Sequence, residues 1–137
     1  MSDARPVEKL VNALMLSAIN QGASHIRVVP APMTGFSSPG IFFWLDGAWT
    51  EEMSPPPELY IPIVRRLGVM IGVLPPRKGE PWFGNLTMMV GTERSYYWAI
   101  AIDRGETLHA LVELVDELAF KSKRQPRPPA PHPYRHG

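Results

Sequence analysis

A chain of 137 residues, 45% of them apolar, is long enough for one domain with a real core, and the absence of cysteine excludes disulfides and thiolate metal sites. No apolar run reaches membrane-spanning length, and the opening "MSDARPVEK" lacks the apolar stretch of a signal peptide, so a soluble cytoplasmic protein without membrane insertion is expected. The net charge of +1 conceals an asymmetry: residues 121–137 carry five Lys/Arg and no acid, whereas residues 1–120 carry nine basic and thirteen acidic side chains. That acidic balance argues against a nucleic-acid partner.

In chain order, Val7, Leu10, Val11, Leu14 and Ala18 fall on one helical face, with Pro6 suited to the start and Gly22 to the end. A strand follows at about 24–30, its inner face Ile26 and Val28, its other face His25, Arg27 and Val29. Turn formers fill residues 31–40. Asp46-Gly47 then predicts a hairpin between strands near 41–45 and 48–53. "SPPPELYIPIVRRLGVMIGV" carries a second helix with Ser54 as its cap and an apolar stripe of Leu59, Ile63, Leu67, Met70 and Ile71. Pro62 either falls in a late-starting first turn or kinks this helix. "LPPRKGEP" is a turn, and "WFGNLTMMVG" and "RSYYWAIAI" are two more strands joined near residues 91–93. Residues 107–120 alternate in their first half but keep helical spacing at Leu108, Leu111, Val112, Val115, Leu118 and Ala119, and a helix is expected there.

The order is then α-β-β-β-α-β-β-α. It implies a single α+β domain over residues 1–120, with a mainly antiparallel sheet of about five strands and two to three helices. Residues 121–137 hold five prolines between Pro126 and Pro133 and are expected to be a disordered or polyproline-like tail.

The segment "RPVEKLVNALMLSAINQGASHIRVVP" resembles the start of the N-terminal domain of type II secretion and type IV pilus assembly ATPases, with its pattern "PVVKLVN…AI..GASDIHIEP". The hairpin "FFWLDGAW" stands where that family has "RxRxDG", and "SPPPELYIPIVRRLGVMIG" where it has a "PP" helix. The resemblance covers roughly residues 6–114 and implies a PAS-like fold, here as a stand-alone domain without the motor core. The departures are informative. The family's acidic strand face becomes His25, Arg27 and Val29. Its two hairpin arginines, which reach toward nucleotide phosphates, fall at Phe42 and Trp44. Its "PQDGR" becomes Pro81-Trp82-Phe83-Gly84-Asn85, and its next strand arginine falls at Tyr96 or beside it. An aromatic ring supplies none of the fixed donors that a guanidinium offers a phosphate. These residues contain no GxxxxGK[ST], so P-loop ATP hydrolysis is excluded for them.

The histidines, His25, His109, His132 and His136, have no metal-ligand spacing, and no Ser-His-Asp or Cys-His arrangement can be assembled. No catalytic residue, cofactor or metal site is expected. His25 and Arg27 are either solvated residues of an open strand face or part of a partner or anion surface. Phe42 and Trp44 share one face of a strand whose other face is also apolar, which a half-wetted antiparallel strand does not show. Phe42, Trp44, His25, Arg27 and Trp82 are therefore the candidate interface. The expected function is a non-catalytic interaction or regulatory module that binds a secretion or pilus motor, a motility or polarity regulator, or a second copy of itself. The alternative is a PAS-like sensor of a small ligand or nucleotide, with Met33, Met70, Met88 and Met89 lining its pocket.

Overall fold

Helix α1 (Arg5–Gln21) ends where Gly22 adopts φ +79°. The Gly22 N–H donates to the Ile19 carbonyl at 3.2 Å and the Ala23 N–H to that of Ala18 at 2.9 Å. This paired closure needs a left-handed residue, which glycine supplies without a Cβ clash. The computed structural model describes residues 5–72, 77, 80–104 and 107–129. The turn expected at 74–81, Gly105-Glu106 and both tail histidines therefore lie wholly or largely outside the described residues.

Strand β1 (His25–Val29) follows at once, then the hairpin of β2 (Gly40–Leu45) and β3 (Ala48–Met53). Asp46 and Gly47 both have positive φ, at 51° and 82°, as the tightest hairpin turns require. A short 3₁₀ turn at Pro57–Leu59 leads into α2 (Tyr60–Met70). Ser54 is not its cap: the helix starts late, with Leu59 at the cap position and no side-chain cap bond. Pro62 thus sits within the first turn, where its missing N–H has no intrahelical acceptor to lose.

Strands β4 (Trp82–Val90), β5 (Arg94–Arg104) and β6 (Leu108–Val115) form a second meander, and α3 (Glu117–Lys121) follows. The helix expected over 107–120 is thus a strand with a five-residue helix after it. The order is α-β-β-β-α-β-β-β-α, with six strands in the sequence β3-β2-β1-β6-β5-β4, every neighbouring pair antiparallel. The physical reason lies in the position of β6. It pairs with β1 on one side and β5 on the other, and is covered on both faces: Ala110 and Val112 point to one, Leu111 to the other, all buried. A strand buried on both faces is apolar at both parities, and such a run also satisfies a helical stripe.

Helices α1 and α2 pack together on one face of the sheet. Val11, Leu14, Met15 and Ala18 of α1 and Ile63, Val64 and Leu67 of α2 close over Ile26, Val28, Ile41, Phe43, Trp98, Ile100 and Val112. Strands β3 and β4 form the two edges of the sheet. Among the described residues no helix is long and apolar enough to cross a membrane.

Gly68 lies where α2 meets β4. A Cβ there would stand 2.5 Å from Cζ2 of Trp82 and 3.3 Å from Cδ1 of Ile102. Alanine in a helix interior is ordinarily worth about 1 kcal/mol over glycine. Here the buried indole opposes it, and overpacking of this kind costs about 1–3 kcal/mol. Gly68→Ala is expected to lower the urea midpoint of unfolding; a raised midpoint would show that the helix and Trp82 separate freely.

Candidate functional site

The face of the sheet opposite α1 and α2 carries the polar and aromatic residues singled out from the sequence. The register aligns them in rows across the strands. Asn85 of β4 pairs with Ala99 of β5, Ala99 with Glu113 of β6, and Glu113 with His25 of β1. One step along the strands, Phe83, Ala101, Leu111, Arg27, Phe42 and Glu51 form a parallel row. Beyond them stand Asp103 and His109, also paired.

Two segments of the chain cover this face. The first is the loop between β1 and β2. Met33 and Phe36 exchange backbone hydrogen bonds at 2.9 and 2.8 Å, which folds the loop back on itself. Phe36 then lies 4.8 Å from the Phe42 ring and 5.6 Å from Trp49, closing a small second core with Val29. Phe42 is 9% exposed: the ring expected to face a partner is covered by its own chain. Trp44 remains half-buried and meets Trp49 edge-on at 5.2 Å. The Arg27 guanidinium lies 6.0 Å from the Phe36 ring centroid, and its Nε is buried without a hydrogen-bond partner.

The second cover is the start of the basic segment. Asp116 caps α3 by accepting from the Ala119 N–H at 2.7 Å, and Phe120 packs on Tyr97 at 4.9 Å. Lys123 takes φ +54°, with the Lys123 N–H donating to Phe120 and the Arg124 N–H to Ala119. The turn matches that at Gly22, but a side chain in this conformation costs about 1–2 kcal/mol. It sends residues 124–127 across the sheet. The first part of the segment assigned by composition to a disordered tail is therefore held against the domain, while residues 130–137 lie outside the described residues.

Glu113 anchors this crossing. Its carboxylate accepts from the Arg127 N–H at 2.8 Å and meets the Arg124 guanidinium at 3.3 and 3.4 Å. Asn85 Nδ2 donates to the Arg124 carbonyl at 3.2 Å. His25 Nε2 is 2.7 Å from the Arg127 carbonyl, and His25 Nδ1 is 2.7 Å from Ser24 Oγ. A neutral imidazole with its proton on Nε2 serves both contacts, donating to the carbonyl and accepting from the hydroxyl. Burial holds His25 below the ordinary histidine value; the Arg127 carbonyl and Glu113 oppose that shift, and Arg124 and Arg27 add to it. At 3.8 Å from Glu113, the neutral ring is a neighbour rather than an ion-pair partner.

His109 is also held low by burial, with Asp103 opposing and Arg27 adding. Its Nε2 stands 3.9 Å from Asp103, and its Nδ1 has no partner. Burial lowers Arg27 as well, against Asp103. Among the described residues no group of three or more His, Asp or Glu is arranged to hold a metal ion.

Of the five candidates, His25, Arg27, Phe42 and Trp44 share the open face. Trp82 does not: it is buried on the helix side, against Gly68, with the Arg104 guanidinium 5.4 Å from its ring. Sequence reasoning missed Asn85, Glu113, Arg124 and Arg127. Glu113 was discoverable as the lone acid in an apolar run, had 108–115 been taken as a strand. Two clefts of about 580 and 530 Å³ border the domain, one lined by Pro30, Pro39, Pro55 to Pro57 and Tyr60, the other by Ile71, Phe83, Asn85, Phe120, Lys121 and Lys123. No protein-family model and no curated protein sequence matches the chain.

Both inward histidines bind a proton less readily in the folded chain than in the unfolded one. Stability is therefore full above the ordinary histidine value of about 6.5 and is lost as pH falls through the lower folded-state values. The urea midpoint is expected to fall between pH 7.5 and pH 5.5 (carboxylates stay ionised over about this range). His25→Gln should flatten that fall; an identical pH slope in the variant would remove His25 as a source.

Proposed function

We propose that the chain is a non-catalytic interaction module of PAS-like architecture, related to the N-terminal domains of type II secretion and type IV pilus motors. It docks to a motor subunit, to a motility or polarity regulator, or to a second copy of itself. The observation that carries this reading is the sealing of the sheet's open face. In the family that the sequence resembles, arginines at the positions of Phe42 and Trp44 reach toward nucleotide. Here Phe42 is closed under Phe36, and residues 124–127 cross the neighbouring row. A face filled by aromatic rings and by the chain's own backbone supports docking rather than phosphate handling.

The part of this face left for a partner is the Trp44–Trp49 pair at the hairpin end of the sheet, both rings half-buried. Large aromatic rings with partly exposed faces are the side chains that dominate binding energies at interfaces. Phe42 is unsuitable for testing this, because removing such a buried ring costs about 3–5 kcal/mol in stability. Trp44→Arg tests it. Affinity capture from the native cell should recover a partner with the parent chain and lose it with Trp44→Arg, while the thermal unfolding curves stay close. The same partner recovered by both forms would overturn the assignment; light scattering at several concentrations separates self-association from a second protein.

A further inference from the structure

We propose that the row Asn85–Ala99–Glu113–His25 is a binding site for an extended, proline-containing peptide that bears arginine. Residues 124–127 occupy it as an intramolecular ligand, which a partner's segment of the same chemistry displaces. The proposal rests on the reading of the chain as an interaction module and names the chemistry of its partner.

The row recognises main chain. Asn85 donates to the carbonyl of Arg124, Glu113 accepts from the N–H of Arg127, and His25 Nε2 meets the carbonyl of Arg127. None of these contacts uses a side-chain atom of the occupant, so a different segment with the same backbone satisfies all three. The contacted residues are three apart. That is the repeat of the polyproline II helix, in which every third residue faces the same way. Pro126 lies between them and is the one buried residue among 125–128. The floor of the row is Ala99, the smallest side chain in it, and it is wholly covered.

Specificity for arginine comes from Glu113. Its side chain is only 15% exposed, and the Arg124 guanidinium is its counter-ion. An occupant without a cation leaves a mostly buried carboxylate unpaired, which is unfavourable. An acidic occupant is worse. The same residue thus fixes both the backbone register, through the Arg127 N–H, and the charge of what can bind.

On this proposal the intramolecular ligand exchanges with the partner's segment. No strand ladder holds it; its contacts come from single side chains on β4, β6 and β1. It is tethered through a five-residue helix whose Leu118 is 74% exposed, and through the left-handed turn at Lys123. Segments with few buried contacts open locally without global unfolding.

The test uses a fluorescein-labelled peptide with the sequence of residues 122–129, SKRQPRPP, and the full chain. Arg124→Glu sets a carboxylate against Glu113 and frees the row without altering it. Removing a tethered competitor of this kind should tighten peptide binding by about tenfold or more in fluorescence anisotropy. Adding Glu113→Gln to that variant should reverse the gain. Equal binding to the parent and Arg124→Glu chains, no binding to either, or indifference to Glu113→Gln would each overturn the proposal. Amide exchange on the unaltered chain gives a readout independent of the variants. The Arg127 N–H should exchange faster than the Val112 N–H; equal protection would make the segment a fixed part of the fold. A chain that ignores the peptide but still loses its cellular partner on Trp44→Arg would end this proposal and leave the interaction module standing. Peptide binding together with a cellular partner that is recovered equally well by Trp44→Arg would sustain this proposal and remove only the Trp44–Trp49 pair from the docking surface.

Discussion

The pairing of β1 with β6 holds this molecule together. The chain makes two antiparallel meanders, β1-β2-β3 and β4-β5-β6, separated by α2. Each alone is a three-stranded sheet with open edges. The ladder Ile26↔Val112, Arg27↔Leu111 and Val28↔Ala110 joins them into one surface wide enough for α1 and α2 to cover. It also satisfies main-chain groups of β1 and β6 that would otherwise be buried without partners. Because side chains alternate along a strand, this one register sends Val112 to the helices and Glu113 to the opposite face.

That opposite face is where the molecule departs from an ordinary half-wetted sheet. Its aromatic end is closed by Phe36 and its polar middle by residues 124–127. The mostly buried carboxylate of Glu113 is paired with Arg124, while the burial that lowers Arg27 is opposed only through the field of the exposed Asp103. Ionisable side chains on a covered surface need partners. His25 touches the Arg127 carbonyl of the second cover and lies 6.4 Å edge-on from Trp49, the β3 ring that packs on Phe36 of the first.

Much of the fold is legible in the sequence where local chemistry decides the structure. Gly22 ends α1 because the backbone needs a positive φ there, and Asp46-Gly47 makes the hairpin for the same reason. The alternation of His25, Ile26, Arg27 and Val28 assigns faces correctly. Two things resist. Burial on both faces erases the period-two signal of β6, so Leu108, Leu111, Val112 and Val115 also satisfy a helix. The path of residues 124–127 depends on a carboxylate contributed by that same misassigned strand. Composition identifies a proline-rich segment; it has no access to the acceptor that receives it. The site was half visible for this reason: His25 and Arg27 stood out by parity, while Asn85 and Glu113 acquire meaning only once the strands are side by side.

The two rims of the sheet differ in a way that bears on how the protein fails. The outer strand β3 carries Glu51 and Glu52, and like charges there discourage a second sheet from adding on. The other outer strand, β4, spans nine residues, Trp82–Val90, without one ionisable group. If heating loosens this domain, unwanted cross-chain ribbon growth will begin along the uncharged margin, and a lysine placed at exposed Met89 is the natural guard.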